Sequence, residues 1–180
     1  PTIRGSEQGS KKRYVGTVVD QHGASQLIFK GMEAVRSDWT PFARHWQQQL
    51  YQAWFSEVPI TSLVRTLIQE IQAGQWDEQL VYRKRLRQPL ADYHANAPHV
   101  RAALKANQVA REHQQPLPYA KGSVVRYVIT LNGPQVYGED KLALDYQHYI
   151  EKQLKPIVEP ILAMSQLSFD NIYSSQLGLF

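Results

Sequence analysis

The sequence predicts an α+β fold: a mainly helical body with short strands, preceded by a β-hairpin. Three observations carry that prediction. Apolar residues recur at helical spacing over residues 40–72 and again over 146–162. Short runs rich in β-branched and aromatic residues, bounded by turn formers, stand at residues 13–30 and 123–131. Hydrophobic residues make up 43% of the 180, enough for a real core in one domain or slightly more.

Taken in order, residues 13–19 and 26–30 flank a polar stretch, Asp20-Gln21-His22-Gly23-Ala24-Ser25, and read as the two arms of the hairpin. Thr40 followed by Pro41 suits an N-cap and a first helical position. Phe42, Trp46, Leu50, Ala53 and Trp54 continue at helical spacing until Pro59 ends the segment. A second helix from about Thr61 gathers Leu63, Val64, Leu67, Ile68 and Ile71 on one face, and Gly74 suits its C-terminal stop. Residues 80–86 form a short extended segment. Pro98 opens a helix through Val100, Ala103 and Leu104, and residues 106–121 read as a loop around Pro116 and Pro118. Residues 123–131 are the best strand of the chain, closed by Asn132-Gly133-Pro134. Tyr146, Tyr149, Ile150, Leu154, Ile157, Val158, Ile161 and Leu162 mark a final amphipathic helix. Pro156 and Pro160 must kink or divide it, because each removes an amide donor. There is no internal repeat.

Composition excludes several classes. With no cysteine there are no disulfides or thiolate metal sites, which fits a reducing cytoplasm. No run approaches about 18 apolar residues and the N-terminus lacks a signal-peptide pattern, so neither membrane nor secretion is indicated. The net charge of +4 hides a segregation: residues 81–126 carry nine Lys/Arg against two Asp/Glu, between acidic neighbours. A basic block of this kind suits a polyanion, since clustered cations release counterions from phosphates. The chain starts at Pro1 rather than methionine, and is expected to be a C-terminal fragment.

Within the block, Arg83, Lys84, Arg85 and Arg87 place four cations in five residues. His99 and Arg101 stand at the start of a helix whose unpaired amides favour anions. Tyr82 and Tyr93 lie near them and read equally well as core or hinge residues. Catalytic patterns are missing. Gly5 to Lys11 has three residues between its glycines, with Ser10 before the lysine, so it is no phosphate-binding loop. The six histidines form no His-Glu-x-x-His set, and no serine sits in a nucleophile elbow. Asp20 and Asp38 fall in a turn and near a helix start, where carboxylates cap amides. The ending, Gln176-Leu177-Gly178-Leu179-Phe180, reads as a polar, flexible tail carrying apolar side chains that need a docking partner.

These pieces resemble family-B DNA polymerases. The likeness rests on Gly9-Ser10-Lys11-Lys12-Arg13-Tyr14-Val15-Gly16, on Lys30-Gly31-Met32-Glu33-Ala34-Val35-Arg36-Ser37-Asp38-Trp39, and on Asp92-Tyr93 and Ala97-Pro98-His99-Val100. Gly122-Ser123-Val124-Val125-Arg126-Tyr127 and Asp145-Tyr146-Gln147-His148-Tyr149-Ile150 extend it in the same order and spacing. The ending resembles the peptide with which bacterial polymerases bind the sliding clamp, and the whole chain is most like the bacterial polymerase II branch. The resemblance implies that residues 1–38 close the palm and link it to a thumb at 39–173, with a clamp-binding tail at 174–180.

It further implies that Lys11, Lys12, Arg13 and Tyr14 meet the primer end, Lys12 in the minor groove, where every base pair presents acceptors. Arg36 is either a DNA or palm contact or an internal partner of Glu33 or Asp38. Arg83, Lys84, Arg85, Arg87, His99 and Arg101 would grip duplex phosphates, and Gln176, Leu177, Leu179 and Phe180 would seat on the clamp. No catalytic residue and no metal ligand is expected here, because the family's metal-binding aspartates are absent. Mg2+, dNTP substrates and a 3'-5' exonuclease are implied for the complete enzyme, a cytoplasmic, nucleoid-associated DNA-directed DNA polymerase with no membrane partner. The fragment alone should bind primer-template DNA without copying it. The alternative is a non-catalytic DNA-binding adaptor that tethers itself to the clamp.

Overall fold

The computed structural model describes the backbone of residues 2–4, 14–19 and 25–30, and all atoms of 38–94, 96–138 and 140–177. Strands β1 (Thr2–Arg4), β2 (Tyr14–Val19) and β3 (Ser25–Lys30) form an antiparallel sheet in that order. The expected hairpin is β2 and β3, paired from Tyr14 opposite Lys30 to Val19 opposite Ser25.

The larger body begins with α1 (Pro41–Phe55), where Thr40 Oγ1 caps the Ala43 amide and Pro41 occupies the first turn, as the sequence predicts. Helix α2 (Ile60–Gln72) buries Val64, Leu67, Ile68 and Ile71. It ends in a Schellman turn: Gln75 N donates to Glu70 O and Gly74 N to Ile71 O, with Gly74 at φ +80°. Strand β4 (Tyr82–Arg85) then pairs antiparallel with β5 (Val124–Thr130), and β5 with β6 (Gly133–Val136). Helix α3 (Pro98–Glu112) lies across β5 and β6.

The chain closes with α4 (Tyr146–Tyr149), a π-helical turn (Ile150–Leu154), α5 (Lys155–Met164) and α6 (Phe169–Gln176). Helix α1 packs on α5, and α2 on α6. Leu50, Leu67, Ile150, Leu154 and Phe169 are among the side chains fully enclosed between them.

Four features differ from the sequence expectation. Helix α3 continues to Glu112, through residues read as loop. Its buried face runs through Asn107, a polar residue that breaks the apolar pattern. Asn107 Nδ2 donates to Tyr119 O at 2.9 Å and its Oδ1 accepts from Tyr119 N at 3.0 Å, so burial leaves no polar group wanting. Next, the strand closes at the expected turn, but Gly133 and Pro134 also begin a further strand, β6, that the sequence does not announce. Gly133 turns with φ +94°, and Pro134 is tolerated because β6 is an edge strand.

The prolines, expected to kink or divide the final helix, do not divide it: it runs unbroken from Tyr146 to Met164 through a π-helical turn. Tyr149, Ile150, Gln153, Leu154, Ile157, Val158, Ile161 and Leu162 are all buried. This is a four-residue repeat, which drifts about 40° per step on an α-helix of 3.6 residues per turn. The wider π turn directly before Pro156 takes up that drift. Finally, the tail expected from residue 174 is helical to Gln176. Phe169 and Ile172 anchor α6 in the core.

Candidate nucleic-acid interface

Strand alternation builds the site. Tyr82 points inward and stacks on Tyr127 with ring centroids 5.1 Å apart and on Tyr149 at 5.7 Å. Burial pushes the Tyr149 phenol up, and burial with Asp38 nearby pushes Tyr127 up to about 12, so both are neutral at physiological pH, and the Tyr149 hydroxyl accepts from Ile129 N at 2.9 Å. The next residue, Arg83, points outward and stands directly opposite Arg126 of β5. Like charges at directly opposed positions repel and weaken the pair, an arrangement that an intervening anion would relieve. The Arg126 guanidinium lies 5.3 Å from the centroid of the Tyr137 ring, and Arg85 Nη1 donates to Gly122 O at 2.7 Å.

Arg83, Lys84, Arg85 and Arg126 line a groove of about 560 Å³ together with Arg44 from α1, and Glu78 is the carboxylate among them. Among the described residues the ion pairs gather round Lys155, which faces Glu151, Glu159 and Asp170, and the groove cations take part in none. Among the described residues the groove therefore gathers five cations against one carboxylate. The sequence points to the three cations of β4 but misses Arg44 and Arg126. Each is a single charge in an apolar context, and only strand register and the start of α1 reveal that they converge.

The other expected contacts lie apart. Arg87 follows β4 and is exposed; its backbone amide donates to Tyr93 Oη at 2.9 Å. Arg101, on α3, lies against the β5–β6 turn, beside Lys105, which donates to Asn132 O and Pro134 O. His99 departs from the surface position expected of it. It is 4% exposed, packs edge-on against Tyr93 at 5.8 Å, and its imidazole is held below its ordinary value by burial and by Lys84. Tyr82 is a core residue.

At the C-terminus, Gln176 Nε2 donates to Arg65 O at 3.1 Å, Gln176 Oε1 is buried without a partner, and Leu177 is 49% exposed. Lys11, Lys12, Arg13, Arg36, Leu179 and Phe180 lie outside the described residues, and of Tyr14 only the backbone, in β2, is described.

Comparison with known proteins shows the family of the chain. The model of DNA polymerase family B matches residues 9–165. DNA polymerase II of Escherichia coli (strain K12) is 46% identical over an alignment that takes in 100% of this chain and 23% of its own. DNA polymerase 2 of Aeropyrum pernix is 30% identical over 85% of this chain and 19% of its own. Among solved structures, the family B DNA polymerase from the hyperthermophilic archaeon Pyrobaculum calidifontis matches with a TM-score of 0.61 at 25% identity, over 85% of this chain and 20% of that one. The chain thus spans less than a quarter of the length of each of these relatives. The likeness to polymerase II drawn from the motifs agrees with the identity found. With the family model matched across most of its length, this chain belongs to DNA polymerase family B.

Proposed function

We propose that this chain is the C-terminal palm and thumb portion of a DNA-directed DNA polymerase, and that the groove between α1 and β4–β5 grips primer-template duplex through its phosphates. The observation that carries this reading is the direct opposition of Arg83 and Arg126 in a groove shared with Arg44, Lys84 and Arg85. Such contacts position a duplex without reading its sequence. Residues 1–38 would close the palm and bring Lys12 to the minor groove at the primer end, and residues 39–173 would be the thumb.

Among the described residues, no three His, Asp or Glu side chains converge as metal ligands. The Mg2+ that the family implies therefore finds no donor set in them. The dNTP chemistry, and any proofreading exonuclease, would belong to other parts of the complete protein.

The ending would dock on a sliding clamp. Moving Gln176 onto that partner gives up one hydrogen bond to Arg65 O, worth about 1 kcal/mol, and frees an Oε1 that is buried unpaired.

Fluorescence anisotropy of a labelled primer-template duplex with the complete protein tests the central part of this reading. Arg83→Ala/Arg126→Ala should weaken binding about tenfold or more, as expected when two phosphate contacts are lost. Unaltered affinity would reject the groove as the DNA surface. Deleting residues 176–180 should abolish clamp-dependent processivity and spare clamp-free extension; loss of both, or of neither, would reject the tail assignment.

A further inference from the structure

Beneath the groove lies a side chain whose every hydrogen-bonding position is used. Gln153 is 1% exposed and is presented by the π-helical turn. Its Oε1 accepts from Thr40 N at 2.9 Å and from Thr40 Oγ1 at 3.0 Å. Its Nε2 donates to Asp38 O at 3.0 Å and to Tyr82 Oη at 3.0 Å. Two accepted and two donated bonds exhaust a carboxamide. The orientation is unambiguous, because Thr40 N can only donate and Asp38 O can only accept. Tyr82 Oη also meets His148 Nε2 at 2.8 Å, so the network reaches α4 as well.

The partners belong to the two walls of the groove. Asp38 and Thr40 flank Trp39 and lead into Pro41 and Arg44, which line one side. Tyr82 leads into Arg83, Lys84 and Arg85, which line the other. Among these bonds, Gln153 alone spans both walls, and it does so over sequence separations of 115 and 71 residues. The π turn brings a polar residue into a row that is otherwise apolar, at the place where both walls can be reached.

We infer that Gln153 is a positioning residue for the groove, fixing the start of α1 against β4 so that Arg44 meets the same stretch of phosphates as Arg83 and Arg126. The inference rests on the reading of the groove as the DNA surface. It predicts an effect on binding that depends on Arg44, which a merely structural role would not show.

The test is a double-mutant cycle on the complete protein, read as the Kd for a labelled primer-template duplex. Gln153→Leu should raise Kd about tenfold in the wild-type background and about twofold or less beside Arg44→Ala, because interacting positions are not additive. Tyr82→Phe removes only the hydroxyl that ties Gln153 to β4 and keeps the ring stack. It should show the same dependence on Arg44, and it carries the cycle should Gln153→Leu not fold. Wild-type Kd in both variants, or the same fold-change with and without Arg44, would overturn the inference while leaving the groove as the DNA surface. Wild-type binding that ignores salt would instead overturn the reading of the groove itself, and the inference with it.

Discussion

Arg83 and Arg126 face each other across β4 and β5, and this opposition separates stability from binding. Arg83→Thr relieves a like-charge pair and supplies a β-branched residue, so melting should show Tm unchanged or raised. Duplex binding by the same variant should weaken, with a salt slope shallower by about 0.9 for one lost phosphate contact. A drop in both Tm and affinity would mean that Arg83 serves the fold rather than a ligand. Gly74 makes the contrary case, of a residue held by geometry alone. At φ +80°, and with an added Cβ only 3.2 Å from Tyr146 Oη, Gly74→Ala should cost about 1–2 kcal/mol in urea denaturation.

Buried His99 and half-buried His148 give a pH dependence. Burial chiefly, with Lys152 adding and Asp145 opposing, holds His148 below its ordinary value; burial and then Lys84 do the same to His99. Such an imidazole takes up a proton more readily in the unfolded chain. Stability is therefore complete above the unfolded value of about 6.5 and falls as pH drops through it toward the folded value. Tm at pH 5.5 should lie below that at pH 7.5, and a His99→Gln/His148→Gln variant should narrow the gap. A gap that stays the same width would place the titration elsewhere.

Helices with an unbroken apolar face were the legible part of the fold. Thr40-Pro41 announced α1, and Gly74 announced the end of α2, because caps and left-handed turns have residue-specific chemistry. Strands β4 and β5 were legible from their β-branched and aromatic residues, but polar positions satisfied by distant partners were not. Asn107 hid the second half of α3, since its buried amide is satisfied by Tyr119 from a loop 12 residues on. The π turn was invisible because Gln153 reads as polar until Asp38, Thr40 and Tyr82 are placed around it. The last turn of α6 fell within the expected tail at 174–180, because its helical state depends on Phe169 and Ile172, which bury α6 against α2 and α5. Phe169→Ala should accordingly cost about 3–5 kcal/mol by urea denaturation, and a cost under about 1 kcal/mol would mean that α6 is not part of the cooperative unit.

At the scale of the described body, the proposed reading sets two regions to two tasks. One side concentrates cations from α1, β4 and β5 over a stack of neutral tyrosines, and the far end of α6 leads to the apolar ending. The sequence disclosed the basic block, and the motifs disclosed the family, but not that Arg44 and Arg126 join β4 while His99 withdraws into the core. That division depends on strand register and helix packing, which residue types alone do not encode. The proposed binding surface is therefore set by five cations in one groove rather than by the charged run alone.

Primer-template affinity of the complete protein across a salt series, wild type beside Arg44→Ala/Arg83→Ala/Arg126→Ala, measures that surface directly. If three phosphates are met by these arginines, the slope of log K against log salt should become shallower by about 2.7 in the variant. A slope that is the same in both proteins would show that the duplex is held elsewhere.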